Sequence, residues 1–287
     1  MLVTGKHLVD VARAEKFAIP AFNIADWNMF QGLMDLAEEM RAPMFAAIHP
    51  NEINHMGDDV MPSIIRRCLK SSIPVAIHWD HGAVYEEMIR AIQDGFTSVM
   101  IDKSMTPWEE NIEVSRLTAE TAHSVGVSVE AELGTIGTTD KEAEDGAANI
   151  IYTDPQKARE FVERTGIDML AVAIGTCHGI YPSHMTPKLR LDLLEEIAAA
   201  VDVPLVLHGG SNNPDEEIAA AARMGVAKIN ISSDIKHVYF ERMREVLQDR
   251  VLREPDSIQP PCAIAMQEVA AHKFRLLGCD GKADLYR

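Results

Sequence analysis

Positive charge is in short supply in this chain. Its 27 lysines and arginines stand against 44 aspartates and glutamates, a formal net charge of −17. That balance argues against a nucleic-acid partner, which would want a basic stripe. It does not exclude a small anionic substrate, because backbone amides can bind a phosphate locally. No stretch reaches the roughly 18 consecutive apolar residues of a membrane span, so no membrane partner is expected. The start, Met1-Leu2-Val3-Thr4-Gly5-Lys6, lacks a charged segment followed by an apolar one and does not read as a signal peptide. Cys68, Cys177, Cys262 and Cys279 lie far apart with no Cys-x-x-Cys pair. They read as reduced thiols of a cytoplasmic protein rather than as a disulfide framework. No Gly-x-Gly-x-x-Gly follows the first apolar run, which counts against an open dinucleotide-binding sheet.

What is present is regular alternation. Apolar runs that read as strands cover Ile19–Ile24, Pro43–Ile48, Pro74–Ile77, Thr97–Ile101, Val127–Leu133, Met169–Ile174, Pro204–Leu207 and Ala227–Ile231. Between them lie amphipathic runs such as Met29–Arg41, Trp108–Val125, Pro155–Thr165, Leu189–Val201 and Pro214–Met224. Near-continuous apolar strands alternating with helices are the pattern of a parallel sheet buried on both faces. Eight such repeats in 287 residues predict an α/β fold, a single (β/α)8 TIM barrel spanning residues 1–287. From about Glu254 the chain reads as a C-terminal helical extension after a proline-rich break at Pro260-Pro261. Two connections, Gly134–Tyr152 and Gly179–Pro187, are longer than a barrel needs and are expected to cover an active site.

Barrel chemistry collects at the C-terminal ends of strands. Those ends carry, in order, Asn23, His49, His78/Asp80/His81, Asp102, Glu130/Glu132, His178, His208 and Asn230. A lone histidine is more often a hydrogen-bonded structural residue than a ligand, but eight polar ends of eight are hard to ascribe to chance. Histidines at three strand ends are what a catalytic zinc needs, with a fourth position open. His78 competes with His81 for the metal, and strand period alone does not decide between them. Asp102, Glu130 and Glu132 are expected either to orient imidazoles or to close ion pairs at the rim. Cys177, beside His178, could be mistaken for a nucleophile, although its small neighbours suit a packed strand end equally well. The clusters His208-Gly209-Gly210-Ser211 and Asn230-Ile231-Ser232-Ser233 each follow a strand and precede a helix. In the seventh and eighth loops of a barrel they point to a phosphate site, against the plainer reading of turn glycines and serine caps.

The segments Ala21-Phe22-Asn23, His78-Trp79-Asp80-His81-Gly82, Val129-Glu130-Ala131-Glu132-Leu133-Gly134, Gly175-Thr176-Cys177-His178-Gly179, Leu207-His208-Gly209 and Lys228-Ile229-Asn230 resemble the class II, zinc-dependent ketose-bisphosphate aldolases. The tagatose-bisphosphate branch is the more similar, and the match runs in order through Ala265-Met266-Gln267-Glu268-Val269. The resemblance implies one catalytic Zn2+ on His81, His178 and His208, with His78, Asp102 and Glu132 near the metal, and a monovalent cation (Na+ or K+) as well. It implies Asp80 as the acid–base group at the aldehyde oxygen. It also implies Asn23, Gly179, Gly209, Ser211, Asn230, Ser232 and Ser233 around the ketose and its phosphate, and a homo-oligomer, dimer or tetramer. The implied activity is a lyase of carbohydrate metabolism, reversibly cleaving a phosphorylated ketose into dihydroxyacetone phosphate and an aldehyde. Such a cleavage leaves a carbanion that must be stabilised as an enediolate, which a Lewis-acidic metal does. Lys103 could tempt a Schiff-base reading, but that would leave the histidine trio unexplained.

Two segments depart from the family pattern. After the fifth strand the family has Gly-Gly followed by two acids; here Gly137-Thr138-Thr139-Asp140-Lys141-Glu142 stands. Asp140 aligns best with the proton-moving base, with Glu142 and Glu144 as rivals. After the second strand the family presents small residues and serine, whereas this chain has His49-Pro50-Asn51-Glu52. His49, Asn51 and Glu52 are expected to set distal specificity, and Glu52 would repel a second phosphate. The expected substrate is therefore a ketose 1-phosphate lacking a distal phosphate, or a bulkier sugar or sugar acid. The alternatives are a tagatose or fructose 1,6-bisphosphate aldolase, another zinc lyase or hydrolase, and a non-catalytic sugar-phosphate-binding or aldolase-stabilising subunit.

Overall fold

The computed structural model describes residues 1–138, 150–179, 181 and 187–287. Eight parallel strands close into a barrel: β1 (Ile19–Asn23), β2 (Met44–Ile48), β3 (Val75–Gly82), β4 (Ser98–Ile101), β5 (Ser128–Leu133), β7 (Met169–Val172), β9 (Leu205–Leu207) and β10 (Val226–Ile231). Two short strands, β6 (Gly137–Thr138) and β8 (Cys177–His178), form a separate parallel pair. Neighbours around the barrel follow chain order, and β1 pairs with β10 to close it. The fold is the expected (β/α)8 TIM barrel, and every predicted apolar run supplies one barrel strand.

The helices are α1 (Gly5–Ala14), α2 (Trp27–Glu39), α3 (Pro50–Met56), α4 (Met61–Lys70), α5 (Tyr85–Gln93), α6 (Trp108–Ser124), α7 (Pro155–Thr165), α8 (Leu191–Ala200), α9 (Asp215–Arg223), α10 (Ser233–Val246) and α11 (Pro255–Leu276). The ends of α7 show why its limits were readable. Asp154 caps the amides of Gln156 and Lys157 at 2.9 Å, Pro155 is preset for the first turn, and Gly166 stops the helix at φ 70°. Leu8, Val9 and Ala12 of α1 are buried. Gly5 lies where a Cβ would be 2.4 Å from Ser98 Oγ, at the N-terminal end of β4. This packing closes the bottom of the barrel and leaves the opposite end for the site.

The expected break at Pro260-Pro261 is corrected: both prolines lie inside α11. Their rings face the carbonyls of Asp256 and Ser257 in the first turn, where the chain can tilt to relieve the clash. Beyond them Cys262, Met266, Ala270 and Phe274 recur every fourth residue and are all buried. Phe274 meets Phe22 of β1 edge-on, with ring centroids 5.4 Å apart. Burying that stripe outweighs the lost backbone donors. The chain then returns beneath the barrel, where Tyr286 Oη donates to Leu8 O at 2.9 Å. All four cysteines are buried free thiols. Among the described residues, no helix is long and apolar enough to cross a membrane.

Candidate metal and substrate site

At the end of β3 the backbone of His81 adopts φ 59°, the left-handed region that non-glycine residues avoid. That turn carries its ring into the barrel mouth, where its centroid lies 4.6 Å from His208 and 5.2 Å from His178. One ligand atom from each of the three lies within 4.8 Å of the other two. Carboxylates fix the tautomers. His81 Nδ1 donates to Asp102 Oδ2 at 3.0 Å, and Asp102 Oδ1 is itself held by Ser104 N and Oγ at 3.0 and 2.7 Å. His208 Nε2 donates to Glu130 Oε1 at 2.8 Å. The remaining nitrogens, His81 Nε2 and His208 Nδ1, are buried and make no hydrogen bond. Two buried ring nitrogens left unbonded beside a third imidazole fit a site for a divalent metal ion. Asp102 and Glu132 form a second group with His81 that satisfies the same distance limit. Glu132 Oε2 is 3.3 Å from His208 Nδ1.

His178 does not sit at a barrel-strand end as the sequence implied. β7 ends at Val172, Gly175 turns the chain at φ 120°, and His178 arrives on β8, paired with β6 above the barrel. A Cβ at Gly175 would lie 2.5 Å from Lys188 O, so this crossing needs glycine. His78 lies deeper, fully buried, with Nδ1 against Ser98 Oγ at 2.8 Å and Nε2 3.6 Å from Glu130 Oε2. Burial and the nearby Lys228 push its imidazole down to about 3, so it stays neutral.

Beneath the histidines the barrel interior is ionic. Lys228 Nζ and Glu130 Oε2 are 2.8 Å apart and both side chains are 0% exposed. Burial opposes the Glu130 charge, yet Lys228 and the His208 hydrogen bond outweigh it and hold the carboxyl at about 2. Lys228 Nζ also stands 5.7 Å over the Phe45 ring. Neither the buried lysine nor this pairing was singled out by the sequence. A lysine inside an apolar strand was the available signal, because lysine is almost never fully buried unpaired.

Asp80, 3% exposed, is gripped from both sides. Asn23 Nδ2 donates to its Oδ2 at 2.8 Å and Asn230 Nδ2 to its Oδ1 at 2.9 Å. Burial works against its charge, but His81 and Lys228 more than offset this and hold the carboxyl far below the usual carboxylate range. Asn23 Nδ2 also lies 3.4 Å from Glu52 Oε2. Glu52 belongs to the first turn of α3, where it accepts from His49 N at 2.8 Å while His49 Nδ1 accepts from Asn51 N at 3.1 Å, a capping box. Glu52 Oε1 pairs with Lys236 Nζ at 2.5 Å. Glu52 lines the cavity, but its carboxylate is paired rather than free. Lys103 Nζ lies 3.9 Å from Glu110 on α6.

These groups open onto a cavity of about 460 Å3. Its wall is made of residues the sequence singled out, with one addition, Lys236. Gly179, Gly209, Ser211, Ser232 and Ser233 also line the cavity. Ser232 starts α10 without a side-chain cap, and of the first-turn amides Asp234 N donates to Ser211 Oγ at 3.3 Å. Asn213 Nδ2 braces the Gly209 turn by donating to Gly209 O and Ser211 O at 2.6 and 2.9 Å. Lys273 of α11 holds Asp234 at 2.8 Å, and Asp234 accepts from Asn212 N at 3.1 Å, so the C-terminal helix supports these loops. Gly209 has φ 64°, and a Cβ there would meet Cys177 O at 2.5 Å and its carbonyl carbon at 2.8 Å. Gly209→Ala is expected to cost about 2–4 kcal/mol, read as a lower urea midpoint. A midpoint unchanged from wild type would show that the turn relaxes freely. Asp140, Glu142 and Glu144 lie outside the described residues.

A family model described as fructose-bisphosphate aldolase class-II matches residues 3–282. The D-tagatose-1,6-bisphosphate aldolase subunit GatY of Klebsiella oxytoca is 36% identical over 283 residues, covering 98% of this chain and 99% of the relative. A fructose-bisphosphate aldolase of Thermus caldophilus is 35% identical over 305 residues, covering 99% of this chain and 100% of the relative. Among solved structures, the YdjI aldolase from Escherichia coli K12 superposes with a TM-score of 0.88 at 35% identity, covering 99% of this chain and 100% of that one. With full-length relatives and a family model spanning nearly every residue, the chain belongs to the class II fructose-bisphosphate aldolase family, and is a carbon–carbon lyase.

Proposed function

We propose that this lyase is a zinc enzyme that cleaves phosphorylated ketoses reversibly into dihydroxyacetone phosphate and an aldehyde. The observation that carries this is the imidazole trio, with ligand atoms within 4.8 Å of one another and Asp102 and Glu130 holding the opposite ring nitrogens of His81 and His208. His81, His178 and His208 would hold the ion. When bound, Zn2+ supplies a Lewis acid that polarises the ketose carbonyl and accommodates the charge left by carbon–carbon cleavage. Asp80, ionised and clamped by Asn23 and Asn230, takes the hydroxyl proton on cleavage and returns it to the aldehyde oxygen on condensation. The amides at Ser232 and Ser233, with Gly209 and Ser211, take the phosphate. A loop acid, Asp140 or its rivals Glu142 and Glu144, moves the second proton.

Intact ligands and an intact acid favour an enzyme over a sugar-phosphate-binding or stabilising subunit. Phe240, Leu247 and Val251, exposed along and just past α10, favour self-association. Metal analysis and dihydroxyacetone phosphate release from ketose 1-phosphates and 1,6-bisphosphates test the proposal together. The expected result is about one zinc per chain, activity abolished by chelation, and activity restored by zinc. Zinc-loaded protein that releases no dihydroxyacetone phosphate from either substrate class would refute it.

A further inference from the structure

We infer that the Glu52–Lys236 pair reads the aldehyde half of the substrate as neutral hydroxyls and discriminates against a phosphate there; this rests on the aldolase function proposed above. Asp80 marks where the aldehyde oxygen sits, and Asn23 links Asp80 to Glu52 at 2.8 and 3.4 Å. The carbons beyond the cleaved bond therefore run towards Glu52 and Lys236, which line the same cavity.

The capping box accounts for Glu52 Oε2, but neither for Oε1 nor for the charge on Lys236. Lys236 stands in the first turn of α10, where the helix dipole disfavours a cation, and Glu52 is only 8% exposed. Each is stabilised by the other across the mouth of β1, bridging the loops after β2 and β10. The pair changes what a distal group would meet. A lone lysine would attract a terminal phosphate, but here its charge is already matched. A phosphate close enough to reach Lys236 would also face the Glu52 carboxylate in a poorly hydrated wall. A hydroxyl suits both partners, donating to a carboxylate oxygen and accepting from a lysine N–H. The matched pair thus favours a polyhydroxylated, uncharged chain at this position.

Binding of unreactive analogues by calorimetry tests this without relying on turnover. The probes are a hexitol 1-phosphate and the corresponding 1,6-bisphosphate, titrated into zinc-loaded enzyme. Wild type is expected to bind the monophosphate about tenfold more tightly. Glu52→Gln, which keeps shape and the cap acceptor, should bring the two affinities within about twofold or invert them. Lys236→Met, which leaves the carboxylate unopposed, should widen the gap beyond that of wild type. Opposite shifts identify charge reading, because a purely structural strap between the two loops would move both variants the same way. Wild-type enzyme that binds the bisphosphate as well as the monophosphate, or neither, overturns the inference, as do two variants that shift together. Failure of dihydroxyacetone phosphate release would instead bring down the aldolase function, since the affinity ratio is measured separately.

Discussion

Asp80→Ala is expected to lower dihydroxyacetone phosphate release by about a thousandfold while leaving bound zinc and the unfolding midpoint close to wild type. General acid–base groups contribute about 10²–10⁴ in rate, and Asp80 makes no bond to the metal-facing nitrogens. Its partners are the Asn23 and Asn230 amides, at 2.8 and 2.9 Å. Both amides line the cavity and can be hydrated when the carboxylate is removed, so the fold should tolerate the change. Alanine is the informative replacement. Asparagine would set one amide NH2 against another from Asn23 or Asn230 and disturb the clamp itself. The loss should appear in kcat, with KM for the ketose little altered, because the proton moves only in the transition state. A variant that retains zinc and more than a tenth of wild-type turnover would remove Asp80 from the proton path.

The barrel and most of the cavity wall were legible because both are local statements. A buried parallel strand is written as an apolar run, and the residue that ends it is the next letter in the chain. Asn23, Asp80, His81, His208 and Asn230 could be read in that way. His178 could not be placed fully: its strand ends at Val172, and the glycine crossing at Gly175 lifts it onto a separate two-strand pair. Lys236 was missed because it lies on a helix, at a position where a lysine ordinarily means a solvated face. Its partner Glu52 is 184 residues away, and nothing in either neighbourhood announces the pair. Pro260-Pro261 misled for the opposite reason. A local rule was applied where tertiary burial of Met266 and Phe274 prevails.

Lys228→Met carries the second large expected effect and reaches the metal through a residue that never touches it. Lys228 lies 2.8 Å from Glu130 with both side chains fully buried, so removing the cation strands a carboxylate in the barrel interior. Breaking a buried pair in this way costs about 3–5 kcal/mol, to be read by urea unfolding in the presence of a chelator. The sign of the pH dependence should reverse. In wild type the Glu130 carboxyl is depressed to about 2, so its contribution is present above the unfolded value of 4.5 and is lost as pH falls towards 2. Without Lys228, burial pushes that carboxyl above its unfolded value, and the variant should gain stability as pH falls through the raised value. A protonated Glu130 is a poorer acceptor for His208 Nε2, so His208 is held less firmly and zinc affinity should fall about 10–100-fold. Adding Glu130→Gln separates the two roles, because glutamine removes the stranded charge but can still accept from His208. Stability and zinc affinity that recover together in the double variant would assign the lysine to keeping its neighbour compensated and His208 aimed. Affinity that stays low while stability returns would mean that the negative charge on Glu130 itself, beyond the hydrogen bond, strengthens His208 as a ligand.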